Sequence, residues 1–134
     1  MKTSIVLVTY NFEKWFNEFF ERIHPILDKR EDVELLIVEN KSTDRTAELF
    51  RKLLLEDEVN STPEDIWNST LLKNTHLYLS SKNTYFAKGN NIGMQKAIEN
   101  NSEYVFLLNQ DAFLKDGALE KFEKFMDENK NCAS

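Results

Sequence analysis

Cysteine, proline and glycine are all scarce in this 134-residue chain, which has one, two and three of them respectively. The lone cysteine, Cys132, excludes an intrachain disulfide and fits a reducing compartment. Long apolar runs are missing too. No stretch approaches the roughly 18 apolar residues that span a bilayer. The short run from Ile5 to Val8 ends at Thr9-Tyr10-Asn11 without a small-residue cleavage site, so it does not read as a signal peptide. These features predict a soluble, cytoplasmic chain. Clustered lysine and arginine are absent as well. The formal charge is -6, from 23 acidic against 17 basic residues, a balance that disfavours nucleic acid as a partner. An acidic chain that binds a small anion then needs a cation or aligned backbone N–H groups.

What the sequence does contain is core-forming material. Hydrophobic residues make up 41% and aromatics 12%, with ten phenylalanines, enough for one small domain or a piece of a larger one. Four short apolar runs alternate with four amphipathic segments. Ser4 to Thr9, Val33 to Glu39, His76 to Ser80 and Tyr104 to Leu108 read as strands. Phe12, Trp15, Phe16, Phe19, Phe20, Ile23 and Ile26 recur at helical spacing, with Pro25 expected to end or kink that helix near Arg22 to Pro25. Further helices are expected over Asp44 to Leu55, Asn90 to Asn100 and Gly117 to Met126, the last with Leu119, Phe122, Phe125 and Met126 inward. Glu56 to Thr75 reads as a loop with one helical turn at most. Strands alternating with helices predict an α/β fold, a mostly parallel sheet flanked by helices.

The unusual polar residues fall where such a sheet binds ligands, beyond the carboxyl ends of its strands. The first strand runs into Tyr10-Asn11, the second into Glu39-Asn40-Lys41-Ser42-Thr43-Asp44, and the fourth into Asn109-Gln110-Asp111. The third leads to Phe86-Ala87-Lys88-Gly89-Asn90-Asn91-Ile92-Gly93. Glu39 can accept hydrogen bonds from a base N–H or from ribose hydroxyls, or it is simply a strand-terminal charge. Ser42, Thr43 and Asp44 precede a helix, and capping by Thr43 or Asp44 is the favoured reading. Gly89 and Gly93 flank two asparagines in what reads as a loop entering a helix, and match no established phosphate loop. Asp111 follows an apolar strand and suits a cation shared with phosphate oxygens, although a turn or cap explains it as well in isolation. His24 and His76 are isolated and lack metal-ligand spacing.

Taken together, these segments resemble family 2 glycosyltransferases. Ser4 to Asn11 resembles that family's opening strand, and Val38 to Asp44 its V-D-N-G-S-T-D element. Phe86 to Gly93 is similar to F-A-G-G-N-N-x-G, and Leu107 to Asp111 to a variant D-x-D. The resemblance implies a GT-A (Rossmann-like) fold that takes a UDP- or dTDP-linked sugar and transfers it, with inversion and Mg²⁺ or Mn²⁺, to a polysaccharide or lipid-linked acceptor. Carried over by position, Thr9, Tyr10, Asn11 and Glu39 would contact the base and ribose. Asn90 and Asn91 would shape the nucleoside pocket, Asn109 and Gln110 would line the sugar side, and Asp111 would ligate the metal. Asn40, Ser42, Lys88 and Gly89 complete the expected donor-binding set. The Asn-Gln-Asp form looks most like rhamnosyltransferase-type members, which points to dTDP-rhamnose as donor.

The chain departs from the family pattern at Glu39, where aspartate is usual, and at Asn109, where an acid is common. The family's acceptor half and general base lie beyond Asp111, so the sequence reads as truncated and its catalytic base is not assigned. Peripheral association with the inner face of the membrane and self-association through an open sheet edge are compatible with this reading. The alternative is a non-catalytic module that binds a nucleotide sugar or pairs with another subunit. A sugar nucleotidyltransferase ranks last, because Val8-Thr9-Tyr10-Asn11 is not a basic glycine-rich loop.

Overall fold

The computed structural model describes residues 1–130. Cys132 and the expected start of a further strand at residues 131–134 lie outside the described residues. One five-stranded sheet organises the chain, with β1 Thr3–Thr9, β2 Val33–Glu39, β3 Trp67–Ser69, β4 Thr75–Leu79 and β5 Tyr104–Leu108. Their order is β3-β4-β2-β1-β5, and only the β3–β4 pairing is antiparallel. β1 and β2 are buried along their whole length. Such central parallel strands read as nearly unbroken apolar runs because neither face meets water.

The helices are α1 Phe16–Lys29, α2 Thr46–Leu54, α3 Tyr85–Glu99 and α4 Ala118–Glu128. Side chains from α1, α2 and α4 pack on Ile5, Leu7, Leu35, Ile37, Leu77 and Leu79, the odd-numbered face of the sheet. Its centre is an aromatic cluster. Phe12 meets Phe19 edge-on at 5.5 Å between ring centroids and lies parallel to Phe50 at 6.5 Å. α3 covers the opposite face, where Val6, Leu36 and Ala97 form a smaller core with Trp67 and Val105 against it.

Four expectations need correction. α1 does not stop near Pro25 but continues to Lys29. Pro25 is exposed, so the carbonyl it leaves unpaired can meet water, while buried Ile23 and Leu27 hold the helix on either side. Residues 56–75 contain no helical turn and instead supply β3. α3 begins at Tyr85 rather than Asn90, so Phe86 to Gly89 belongs to the helix and not to a loop before it. On α4, Phe125 is exposed and Glu123 takes the inward position.

Glu123 is inward because it has partners. Arg30, just past α1, donates to both its carboxylate oxygens at 2.8 and 2.9 Å, and Thr3 of β1 donates at 2.6 Å. Arg30 also donates to Asp32 at 2.8 Å. This network ties α4 to the amino ends of the strands, opposite the rim that carries the polar loops.

Candidate functional site

The chain reverses its direction of travel across the sheet at β1, which lies between β2 and β5. Open α/β sheets bind ligands at such a switch point, outside the carboxyl ends of the strands. Thr9 is paired with Glu39, and Leu7 with Leu108. Glu39 and the Asn109–Asp111 segment therefore flank β1 on one rim, about two strand spacings or roughly 10 Å apart.

Gln110 joins the two sides. Its side-chain oxygen accepts from the Tyr10 N–H at 2.8 Å, and its side-chain N–H donates to the Tyr10 carbonyl at 2.9 Å. The amide thus acts as one more rung of the β1–β5 ladder and is committed to the backbone. Asn11 adopts a left-handed conformation, with φ 51°. In that pose its side-chain oxygen accepts from the Thr43 N–H at 2.8 Å, the Thr43 hydroxyl at 3.2 Å and the Asp44 N–H at 3.3 Å. Its own N–H donates to Ser42 Oγ at 2.9 Å. The loops after β1 and β2 are in this way locked together. The cap of α2 is Arg45 rather than Thr43 or Asp44; Asp44 lies one residue before it and steadies the helix start by accepting from the Thr46 N–H at 2.9 Å and the Glu13 N–H at 3.2 Å.

Glu39 is buried at 1% exposure. Its carboxylate accepts from Thr9 Oγ1 at 3.2 Å, from the Ser42 N–H at 3.1 Å and from the Ser42 hydroxyl. Burial raises its pKa, while the Ser42 and Thr9 hydrogen bonds pull it down. A carboxyl that binds protons more tightly when folded stabilises the native state at low pH, and this benefit is lost as pH rises. Glu39→Gln is therefore expected to melt a few degrees higher than wild type at about pH 7.5, the gap closing as pH falls through the ordinary carboxylate range. Thermal melts across that range check this; a lower melting temperature for the variant at neutral pH would contradict it. Next door, Asn40 is also buried, and its side-chain oxygen accepts from the Thr84 N–H at 2.7 Å and hydroxyl at 2.9 Å. That clamps the approach to α3.

Across β1, a cleft of about 330 Å³ is lined by Trp15, Phe86, Asn109, Gln110 and Asp111. Among the described residues Asp111 takes no hydrogen bond or ion pair, and it is exposed. Sequence reasoning missed Trp15 and Phe86 as lining residues. Trp15 shares the helical spacing of the core phenylalanines, yet it ends a 3-10 turn, Glu13–Trp15, only four residues after Asn11. Phe86 was hidden in a segment read as loop.

The remaining expected residues divide. Gly89 and Gly93 are buried one turn apart on α3, where an added Cβ would lie 2.9 Å from Val8 Cγ1 and 2.3 Å from Val6 Cγ1 respectively. Their lack of a side chain lets α3 rest on β1, which explains them without any phosphate. Asn90 is half-buried between them. Lys88 and Asn91 line a separate groove with Trp67, on the flank of α3.

The family resemblance implies a divalent cation, and the donor set fits one shared with a ligand. Among the described residues no group of three or more His, Cys, Asp or Glu converges to hold an ion unaided. A free carboxylate at Asp111 beside the Asn109 amide offers hard oxygen ligands, and Mg²⁺ or Mn²⁺ on a diphosphate commonly needs only one or two protein carboxylates.

Comparison with known proteins bears on the family and the fold. The sequence matches the family described as glycosyl transferase family 2 over residues 4–134. This chain belongs to that family. No curated protein matches the sequence. Among solved structures, S. aureus TarS 1-349 in complex with UDP-GlcNAc is similar at TM-score 0.68 and 23% identity, covering 97% of this chain and 32% of that one. The complex of the same protein with UDP gives 0.67 and 22%, with 97% and 33% covered. The glycosyl transferase chain described here spans about a third of the length of those structures, and the likeness establishes their fold for its sheet and helices. No helix among the described residues is long and apolar enough to cross a membrane.

Proposed function

We propose that this chain is the donor-binding part of a metal-dependent, inverting glycosyltransferase that uses a UDP- or dTDP-sugar and a polysaccharide or lipid-linked acceptor. The observation that carries the proposal is the shared rim, with buried Glu39 on one side of Thr9–Tyr10 and unpartnered Asp111 on the other. A nucleoside diphosphate presents two chemistries at such a separation, an imide N–H on the base and charge on the phosphates. Glu39, already held by Ser42 and Thr9, accepts from the base or the ribose. Trp15 and Phe86 wall the sugar end of the cleft, with Asn109 supplying an amide there. Gln110 and Asn11 act through the backbone, fixing Tyr10 and the Ser42–Asp44 turn rather than touching the sugar. A divalent cation arriving with the donor would take Asp111 as its protein carboxylate and offset charge on the departing diphosphate. S. aureus TarS, one similar protein solved with UDP and with UDP-GlcNAc, supports a uridine donor.

Isothermal calorimetry with UDP tests the assignment. In Mn²⁺ the wild-type chain is expected to bind at least about tenfold more tightly than in chelator, and Asp111→Ala to abolish that difference. Equal affinities with and without Mn²⁺ would remove Asp111 from the role given to it. A second reading, a non-catalytic module that pairs with another polypeptide, draws on Leu107, half exposed on the edge strand β5. Donor hydrolysis or transfer by the 134-residue chain alone would eliminate it.

A further inference from the structure

The groove between α3 and β3 has a composition unlike the donor cleft. It encloses about 460 Å³ and is lined by Trp67 together with two parallel rows on α3. One row is Lys88, Ile92 and Lys96, and the other is Asn91, Gln95 and Glu99, each stepping by four residues along one helical face. From Lys88 to Lys96 the helix rises about 12 Å. Trp67 is fixed edge-on against Tyr78 at 5.5 Å, with part of its indole left to line the groove.

Among the described residues Lys88 and Lys96 have no ion-pair partner, a state they share with other surface lysines such as Lys14 and Lys82; what sets them apart is that both line one groove beside Trp67. Two free ammonium groups beside an aromatic surface call for a ligand that combines negative charge with apolar faces. The second row narrows the class. Side-chain amides both donate and accept, as hydroxyl groups do, and the Glu99 carboxylate accepts only. Glu99 therefore suits a ligand that places a hydroxyl group at its end of the groove and keeps its separate negative charges beside Lys88 and Lys96, which a phosphate chain charged along its whole length does not. The groove also runs along the flank of α3 and offers no array of backbone N–H groups to a phosphate.

We propose that this groove is a second carbohydrate site, distinct from the donor cleft, for an acidic oligosaccharide. One sugar ring rests on Trp67, its hydroxyls meet Asn91, Gln95 and Glu99, and its acidic substituents pair with Lys88 and Lys96.

The chain has only two tryptophans, so Trp15→Phe makes Trp67 the sole indole reporter. Its emission is followed during titration with a tetrasaccharide of alternating glucuronic acid and N-acetylglucosamine, an N-acetylglucosamine tetramer, and inorganic tripolyphosphate. The expected result is saturable binding of the acidic tetrasaccharide, about tenfold weaker binding of the neutral one, and none of tripolyphosphate. Lys96→Gln in the same background is expected to raise the Kd about fivefold, as loss of a partly exposed charge contact does. Asp111→Ala should leave it unchanged, which separates this groove from the donor site. Tripolyphosphate binding as tightly as the acidic tetrasaccharide would overturn the proposal. So would an unchanged Kd in Lys96→Gln, or no saturable change up to about 10 mM sugar.

Discussion

Alanine at position 93 should cost this protein about 2 kcal/mol of stability and lower its melting temperature by roughly 5–10 °C. A methyl group there would sit 2.3 Å from Val6 Cγ1, 3.1 Å from Cγ2 and 3.3 Å from Cβ. Val6 is fully buried at the middle of β1, and its branched side chain has few rotamers to offer. Relief therefore has to come from moving α3 off the sheet. Overpacking of this kind costs about 1–3 kcal/mol and sometimes more, against a helix-propensity gain of about 1 kcal/mol for alanine over glycine. A contact this close belongs at the upper end. Pairing Gly93→Ala with Val6→Ala should restore part of the loss, because the two side chains compete for one space. Urea denaturation of the four proteins in the cycle checks this. Equal destabilisation in single and double variants would mean that the contact with Val6 is not the cause.

Arg30→Ala is expected to cost more, about 3 kcal/mol at neutral pH. The substitution strands Glu123, which is 6% exposed and keeps only the Thr3 hydroxyl as partner. Removing one member of a buried pair is expensive because the other charge stays out of water. Replacing both, as in Arg30→Met with Glu123→Leu, should recover most of the loss. The arginine also shapes the acid limb of stability. Its hydrogen bond is the main cause holding the Asp32 carboxyl below its ordinary pKa. A carboxyl lowered in the folded state stabilises above its unfolded pKa, and the gain disappears as pH falls. Arg30→Ala should accordingly flatten the fall in stability below about pH 4. Denaturant melts at neutral pH and at about pH 3.5 read out both effects, and a single variant as stable as wild type would refute the first.

These two positions also mark what the sequence could not convey. β1, β2 and β5 were legible because each is an apolar run that stops at polar residues, and β5 was found to the residue. Glu123 was not, since a charge on an inward helical position makes sense only once Arg30 arrives from a distant segment. Gly89 was read as lying in a loop ahead of the helix, whereas the expected helix from Asn90 already took in Gly93; of the two uses open to glycine, close backbone approach is the one the structure makes of both. A three-residue edge strand such as β3 has too short a pattern to register.

The candidate site divides in the same manner. That Glu39 and Asp111 share a rim follows from strand ends in a parallel sheet and was visible in the order of the segments. Which polar atoms are spoken for was not. The amides of Gln110 and Asn11 looked like ligand contacts, and the structure uses them to fasten backbone. Trp15 was hidden by the periodicity it shares with the buried Phe12, Phe16 and Phe19; it packs against their core and, from the end of the 3-10 turn, also lines the cleft.

The Gln110 rung has a kinetic consequence. Tyr10 lies one residue beyond β1, where a loop amide would normally exchange with solvent quickly, yet both its backbone groups are engaged. On the other side of the cleft the segment after Asp111 is held by packing instead, with Leu114 buried in the core and Phe113 under the Arg22 guanidinium. The rim is thus fastened by hydrogen bonds at one lip and by apolar contacts at the other, with the exposed Asp111 side chain between them left to bear the ordering cost of seizing a ligand.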